Sequence, residues 1–304
     1  MSQLTLIREE AARSASFRRA IKAGTLTEYE VDRILWAGGA CPAGLLRTSR
    51  PKTPAWTPAS AATIKYWLNP NDSSKVFSDT AGTTPAVSGT AGGLARINDS
   101  SGAGLCTGGV IQATSGNRPT WTSSDANCNS KGSIQSPTGG VSSKVLQLAA
   151  FAGAVTIPQP WSRVIGVYNS TGTTNNAVFC DSDATESGYM RADASTGNLT
   201  VYTGGGGGGG LLTTSVSGAG FHIYVLVGNG ASSALRKDGA SVTLTGTKGT
   251  SAFSGITTGD NYLGPATGIS GAIAFDSLYG EDVIGSGLIT TIDIWAFALY
   301  GVHA

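Results

Sequence analysis

Residues 221–227 read Phe221-His222-Ile223-Tyr224-Val225-Leu226-Val227, and residues 162–168 read Ser162-Arg163-Val164-Ile165-Gly166-Val167-Tyr168. Val, Ile, Tyr and Phe dominate both runs, as a pleated, half-buried surface requires. Similar runs recur at 63–68 (Thr-Ile-Lys-Tyr-Trp-Leu), 144–150, 176–180, 198–203, 241–245 and 271–279. Gly, Ser, Thr and Asn separate them, and Lys237-Asp238-Gly239 reads as a tight turn between two strands. Many short strands with turn signals between them predict an antiparallel β-sandwich or jelly roll rather than βαβ units. Residues 80–140 carry dense Gly, Ser, Thr and Asn with short apolar runs, which predicts long loops holding a few strands.

Composition supports a mainly β chain. Glycine is 44 of 304 residues, charged residues are 13%, and 20 Lys and Arg stand against 19 Asp and Glu. Glycine lacks a three-residue period, which excludes collagen, and the near-zero net charge argues against a solvated disordered chain. The sequence has no run long and apolar enough to span a membrane. Charges at Arg8, Glu9 and Glu10 stand where a signal peptide needs its apolar stretch, so none is expected.

Charge density changes near residue 50. Residues 1–50 carry 13 charges and the other 254 positions carry 26, a drop of about 2.5-fold. The first part reads as two helices, near 4–22 and 27–37. Leu4, Ile7, Ala11 and Ala15 share a face of the first. In the second, Thr27 and Glu30 form a capping box, Leu26 and Val31 a hydrophobic staple, and Gly38-Gly39 ends it. Pro42, Pro51, Pro54 and Pro58 then favour extended chain. A short amphipathic segment is marginally stable alone, so residues 1–60 are expected to dock on something larger. The docking residues would be Leu4, Ile7, Phe17, Ile21, Val31, Ile34, Leu35 and Trp36. The arginines of the first helix read as a solvated face balanced by glutamates, so nucleic acid is not an expected partner.

Near the other end, Leu288, Ile292, Trp295 and Leu299 are spaced four, three and four, which predicts a helix opened by Ser286 and closed by Gly301. A strand is the alternative there, because Ile292, Ile294, Ala296 and Ala298 alternate.

Residues 61–303 resemble the concanavalin A-like lectin/glucanase superfamily in its laminin G-like form. Tyr66-Trp67-Leu68-Asn69-Pro70-Asn71-Asp72 is similar to the opening strand and its W-L-D-A-S-D turn. Asn117-Arg118-Pro119-Thr120-Trp121 is similar to the R-P-T segment, and Leu235–Gly239 to the V-D-G hairpin. Gly271-Ala272-Ile273-Ala274 through Tyr279-Gly280 resembles the G-x-I-A-E strand, and Gly287–Gly301 its terminal helix. Two departures stand out. The acid, Asp276, comes one position after the family's place at Phe275, and 80–140 is unusually polar. The resemblance implies a concanavalin A-like jelly roll over 61–304 that binds glycan or calcium through loops.

Several chemistries are missing. The superfamily's glucanases carry E-x-D-x-E on one strand, so that acid and nucleophile flank the glycosidic bond. The only glutamates after residue 60 are Glu186 and Glu281. The sequence also lacks G-x-S-x-G and H-E-x-x-H. His222 sits in an alternating strand and reads as a strand histidine rather than a triad member. No catalytic residue is assigned and a non-enzyme is expected. Glycines 204–210 match a dinucleotide fingerprint only trivially, since no helix signal follows. They read as a loop tip or a place of close approach.

Cys41, Cys106, Cys128 and Cys180 lack metal-site spacing, and buried free thiols are expected, with a Cys106–Cys128 bridge as the oxidised alternative. The best candidate for sugar recognition is the loop holding Asp181, Asp183, Glu186 and Tyr189, three acids and one aromatic. The same acids would suit calcium, and no other cofactor is expected. Trp67, Trp121, Trp161 and Trp295 are expected in the core. A charged helical lead and a lectin-like body resemble bacteriophage virion proteins: head fibre, decoration or tail-appendage subunits. The resemblance implies assembly in the host cytoplasm, attachment to other virion proteins through residues 1–60, a homotrimer, and binding to host surface polysaccharide. A polysaccharide depolymerase and a purely structural cement protein are the alternatives.

Overall fold

The computed structural model describes residues 56–136, 146–148, 150–169, 176–180, 188, 190–192, 199–204, 211–214, 219–258 and 271–304. The eight anchoring positions, from Leu4 to Trp36, lie outside them. Eighteen strands follow in chain order among the described residues. They are β1 Ile64–Leu68, β2 Val76–Phe77, β3 Arg96–Ile97, β4 Val110–Ile111, β5 Thr120–Asp125 and β6 Lys131–Ser136. Then come β7 Leu146–Leu148, β8 Trp161–Asn169, β9 Asn176–Cys180, β10 Met190–Ala192, β11 Leu199–Tyr202 and β12 Leu211–Thr214. The last are β13 Gly220–Gly228, β14 Ala234–Lys237, β15 Ala240–Val242, β16 Thr245–Gly246, β17 Ile256–Thr258 and β18 Gly271–Tyr279. Among the described residues one α-helix, α1, spans Leu288–Tyr300.

The strands form two sheets, and every pairing between them is antiparallel. The first sheet runs β15-β14-β13-β8-β18-β6-β5, with β1 also paired to β18. The second runs β16-β12-β11-β10-β9-β17-β7-β4-β3-β2. The chain is therefore a mainly β antiparallel sandwich, as its sequence predicts.

Alternation along the strands divides the side chains between two cores. On β8, Trp161, Ile165 and Val167 join the core between the sheets, while Val164 faces the other way. Tyr224 and Leu226 on β13 point inward, and Ile223 and Val225 outward. The outward residues meet α1, whose Ile289, Ile292, Trp295, Ala296 and Tyr300 are buried. The helix rather than the alternative strand forms here, because this face offers it an apolar floor. Its buried stripe is set one position from Leu288 and Leu299, which are only half-buried. Its N-cap is Gly287, at φ 81°, and not Ser286, and Gly301 closes it at φ 72°. Aromatic rings fill the second core: Trp295 lies edge-on to Phe275 at 4.9 Å, Trp67 at 6.2 Å and Trp56 at 6.5 Å. Trp67, Trp121, Trp161 and Trp295 are all buried, as expected.

One irregularity decides which side chains of β18 face which core. Ile273 pairs with Val167 and Phe275 with Gly166, so Ala274 is one extra residue. Ala274 and Phe275 therefore both face the helix, and Asp276 turns back between the sheets. This bulge accounts for the acid standing one position later than the resemblance implies. Gly166 lies beneath the Phe275 ring, which occupies the space where a Cβ would stand.

Local polar contacts explain the other resembling segments. The Arg118 guanidinium donates to the carbonyls of Gln112, Ser78 and Ala113. Trp121 Nε1 donates to the Pro70 carbonyl at 2.9 Å. Asp238 (φ 51°) and Gly239 (φ 79°) make the two-residue β14–β15 turn, flanked by the Lys237–Ala240 pair. Gly204, first of the seven glycines, is a place of close approach: a Cβ there would meet the backbone of Gly249 and Thr250. Glycines 205–210 lie outside the described residues.

Cys106 and Cys128 are free and buried, so the bridge offered as the oxidised alternative is not formed. The bulk of the first sheet stands between them, since Cys106 belongs to the core between the sheets and Cys128 to the core under α1. Burial raises both thiols above their ordinary range, with Asp99 adding at Cys106 and Asp125 at Cys128.

Candidate functional site

Burial separates the polar groups that hold the fold from those able to meet a ligand. Arg163 on β8 and Asp276 on β18 form an ion pair with no exposed side-chain surface. Arg163 Nε donates to Asp276 Oδ1 at 2.9 Å and Nη2 to Oδ2 at 2.5 Å. Nη2 also reaches across to β17, donating to the Thr257 carbonyl at 3.0 Å. Thr258 Oγ1 donates to Asp276 at 2.6 Å. This network pins the two sheets through their shared core and is closed to solvent. Burial first, and the Asp276 charge second, raise the Tyr66 hydroxyl well above its ordinary range.

His222 Nδ1 lies 2.7 Å from Asp238 Oδ2, and Nε2 faces the Ala219 carbonyl at 3.3 Å. The second ring nitrogen is thus taken by backbone, where a triad would need a serine hydroxyl. Among the described residues no group of three His, Cys, Asp or Glu is placed to hold a metal ion.

The two outer faces of the sandwich differ. That of the first sheet lies under α1. That of the second carries a row of side chains in direct register. Phe77 pairs with Arg96, Arg96 with Ile111, Ile111 with Gln147, and Gln147 with Thr257. Val76, Ile97, Val110, Leu146 and Ile256, their strand neighbours, all point into the core, which fixes the row as outward. Five strands at ~4.8 Å spacing make the row about 19 Å long. Ile111 is 36% exposed, whereas Thr257 is fully buried. Gln147 is half-buried and its Nε2 donates to Thr257 Oγ1 at 3.4 Å. Arg96 is committed to structure: Nε donates to Asn98 Oδ1 at 2.6 Å and Nη1 to the Thr80 and Ala81 carbonyls at 3.1 and 3.0 Å. The row therefore offers apolar surface at Phe77 and Ile111 with the Gln147 amide beside it, while the buried Thr257 holds that amide in place.

Asp181, Asp183, Glu186 and Tyr189, the sugar-site residues expected from sequence, lie outside the described residues. Their neighbour Gly188 is buried against the Phe253 ring at φ 69°. The sequence reading missed the outward row because β2, β3 and β4 are two residues long. Only sheet order brings Phe77, Ile111 and Gln147 together.

No protein-family model and no curated protein matches the chain. Solved structures do resemble it. Domain 4 of AbnA, a GH43 extracellular arabinanase from Geobacillus stearothermophilus, in complex with arabinotriose, aligns with 71% of this chain and 92% of its own, at 12% identity and TM-score 0.44. A Trypanosoma rangeli sialidase in complex with sialic acid aligns with 79% of this chain at 10% identity and TM-score 0.40. The chain spans 33% of that sialidase's length. The CBM40 of Ruminococcus gnavus IT-sialidase, bound to α2,3 sialyllactose, aligns with 44% of this chain at 10% identity and TM-score 0.33. At such identities the likeness concerns fold alone.

These comparisons correct one expectation. Sialidases and an arabinanase domain stand among the similar folds, so the missing E-x-D-x-E excludes one catalytic arrangement and does not make the chain a non-enzyme.

Proposed function

We propose that this chain is a carbohydrate-recognising bacteriophage virion protein, a head fibre, decoration or tail-appendage subunit. In this reading residues 1–60 join other virion proteins, assembly takes place in the host cytoplasm, and the β-sandwich presents the outer face of its second sheet to host surface polysaccharide. The observation that carries the recognition step is the in-register row Phe77–Arg96–Ile111–Gln147, which sets apolar area beside an amide. Sugars need that combination, because their ring faces are apolar and their hydroxyl groups both donate and accept. The charge-poor composition suits a neutral polyhydroxyl ligand. The virion assignment is supported by the charged, helical reading of residues 1–50 ahead of a lectin-like body.

Glycan processing is the second reading, and one experiment separates the two. The full chain is incubated with a panel of bacterial surface polysaccharides while retention and reducing-end release are both followed. Retention, weakened at least tenfold by Ile111→Asp, is the result expected. Reducing-end release establishes the second reading, and neither retention nor release from any polysaccharide rejects both.

A further inference from the structure

The two lateral edges of the sandwich are finished in opposite ways. On one side lie β5 of the first sheet and β2 of the second, and the connection after β2 hydrogen-bonds to both. The Ala86 N–H donates to the Val76 carbonyl and Ser78 N–H to the Thr84 carbonyl, covering the outer edge of β2. Gly89 N–H donates to the Trp121 carbonyl, and Ser123 N–H to Ser88 Oγ, covering β5. Pro85, bridged to Phe77, adds a residue with no donor. That side is sealed.

On the other side lie β15 and β16, joined by Thr243 and Leu244 alone. Among the described residues no strand pairs with the outer edge of β15. Ala240 and Ser241 are exposed, while Val242 and Leu244 pack against the core between the sheets. The stretch 239–247, Gly-Ala-Ser-Val-Thr-Leu-Thr-Gly-Thr, holds no charge and no proline. Edge strands of stable monomers are usually guarded by such residues. The three nearest cations are turned elsewhere, Lys237 with its Nζ 6.0 Å from the centroid of the Tyr224 ring. Lys248 Nζ donates to the Ala231 and Ser233 carbonyls at 2.8 Å each, and Arg236 Nη2 to the Gly239 carbonyl at 2.5 Å.

We propose that β15 is a self-association edge: a second copy of this chain pairs its own β15 antiparallel to it about a two-fold axis near Ser241, making one continuous sheet from two. The same strand serves on both sides of a two-fold contact, so its chemistry must tolerate itself, and an uncharged strand brings no like charges together. A partner of distinct charge would find no complementary anchor on this strand. Because the opposite edge is sealed, growth stops at two copies and not at the three that the resemblance implies.

Sedimentation velocity of the full chain across the micromolar range tests this. Wild type is expected at twice the 30.7 kDa chain mass. Ser241→Lys and Ser241→Glu are each expected to weaken the pair at least tenfold, and an equimolar mixture to restore it with one of each in native mass spectrometry. Wild type at one or three chain masses overturns the proposal. So does a pair that survives Ser241→Lys, or a mixture of two folded variants that stays apart. Hydrogen exchange of wild type needs no variant: amides of 240–242 should slow as concentration rises, and exchange independent of concentration overturns the proposal equally.

Discussion

The helix-covered face and the open face of the sandwich are built from the same kind of strand and read differently in sequence. On β8, residues 161–167 are buried without interruption, because one side meets the other sheet and the other side meets α1. Strands buried on both sides appear as continuous apolar runs. On β2, β3 and β4 a buried residue alternates with a more exposed one over only two positions. Covering a face thus makes its strands visible to a reader of sequence. Leaving it open hides them, and an open face is where ligands can bind.

The comparison can be broken first beneath the helix. Trp295→Ala removes the ring on which Phe275, Trp67 and Trp56 converge and should cost ~3–5 kcal/mol, read as a lower urea midpoint. Arg163→Ala tests the core that both faces share. It strands Asp276 as an unpaired buried charge, and a loss of ~3–5 kcal/mol is expected. Arg163→Met with Asp276→Leu should recover much of it, because the cost lies in the widowed charge rather than in the missing pair. If Arg163→Ala alone is neutral, the pin between the sheets is not what holds them.

Smaller effects sharpen the contrast. Gly166→Ala pushes a methyl group into the Phe275 ring and should cost ~1–3 kcal/mol in thermal unfolding. Asp125 lies near the covered side. Burial alone would raise its carboxyl, but donors from Ser133, Gln135, Asn127 and Cys128 outweigh it and hold the group below the ordinary carboxylate range. A depressed carboxyl adds stability that is fully present above ~pH 4 and is lost as pH falls through the lowered value. Asp125→Asn should therefore flatten the acid limb of a stability–pH curve. The smallest expected change is on the open face. Gln147→Ala should move stability by no more than ~0.5 kcal/mol while weakening polysaccharide retention, and a large loss of stability would make Gln147 a structural residue.

Much of the fold is legible in the residues themselves. The runs at 63–68, 162–168, 221–227 and 271–279 become β1, β8, β13 and β18 within one or two positions, and the turn at Asp238-Gly239 is where its residue types put it. The candidate site is far less legible. Its row joins Phe77 to Thr257 across 180 positions, and nothing local links them. Register is a property of sheet order, which no single segment encodes.

The extra residue at Ala274 has a consequence for anyone editing this strand. It gives β18 two halves of opposite parity, even numbers facing the helix up to Ala274 and odd numbers from Phe275 onward. Excising that alanine would therefore be a trim rather than a frameshift in space: Ile273 and Phe275 would become consecutive opposite Val167 and Gly166, the partners they already have, and every side chain would keep its compartment.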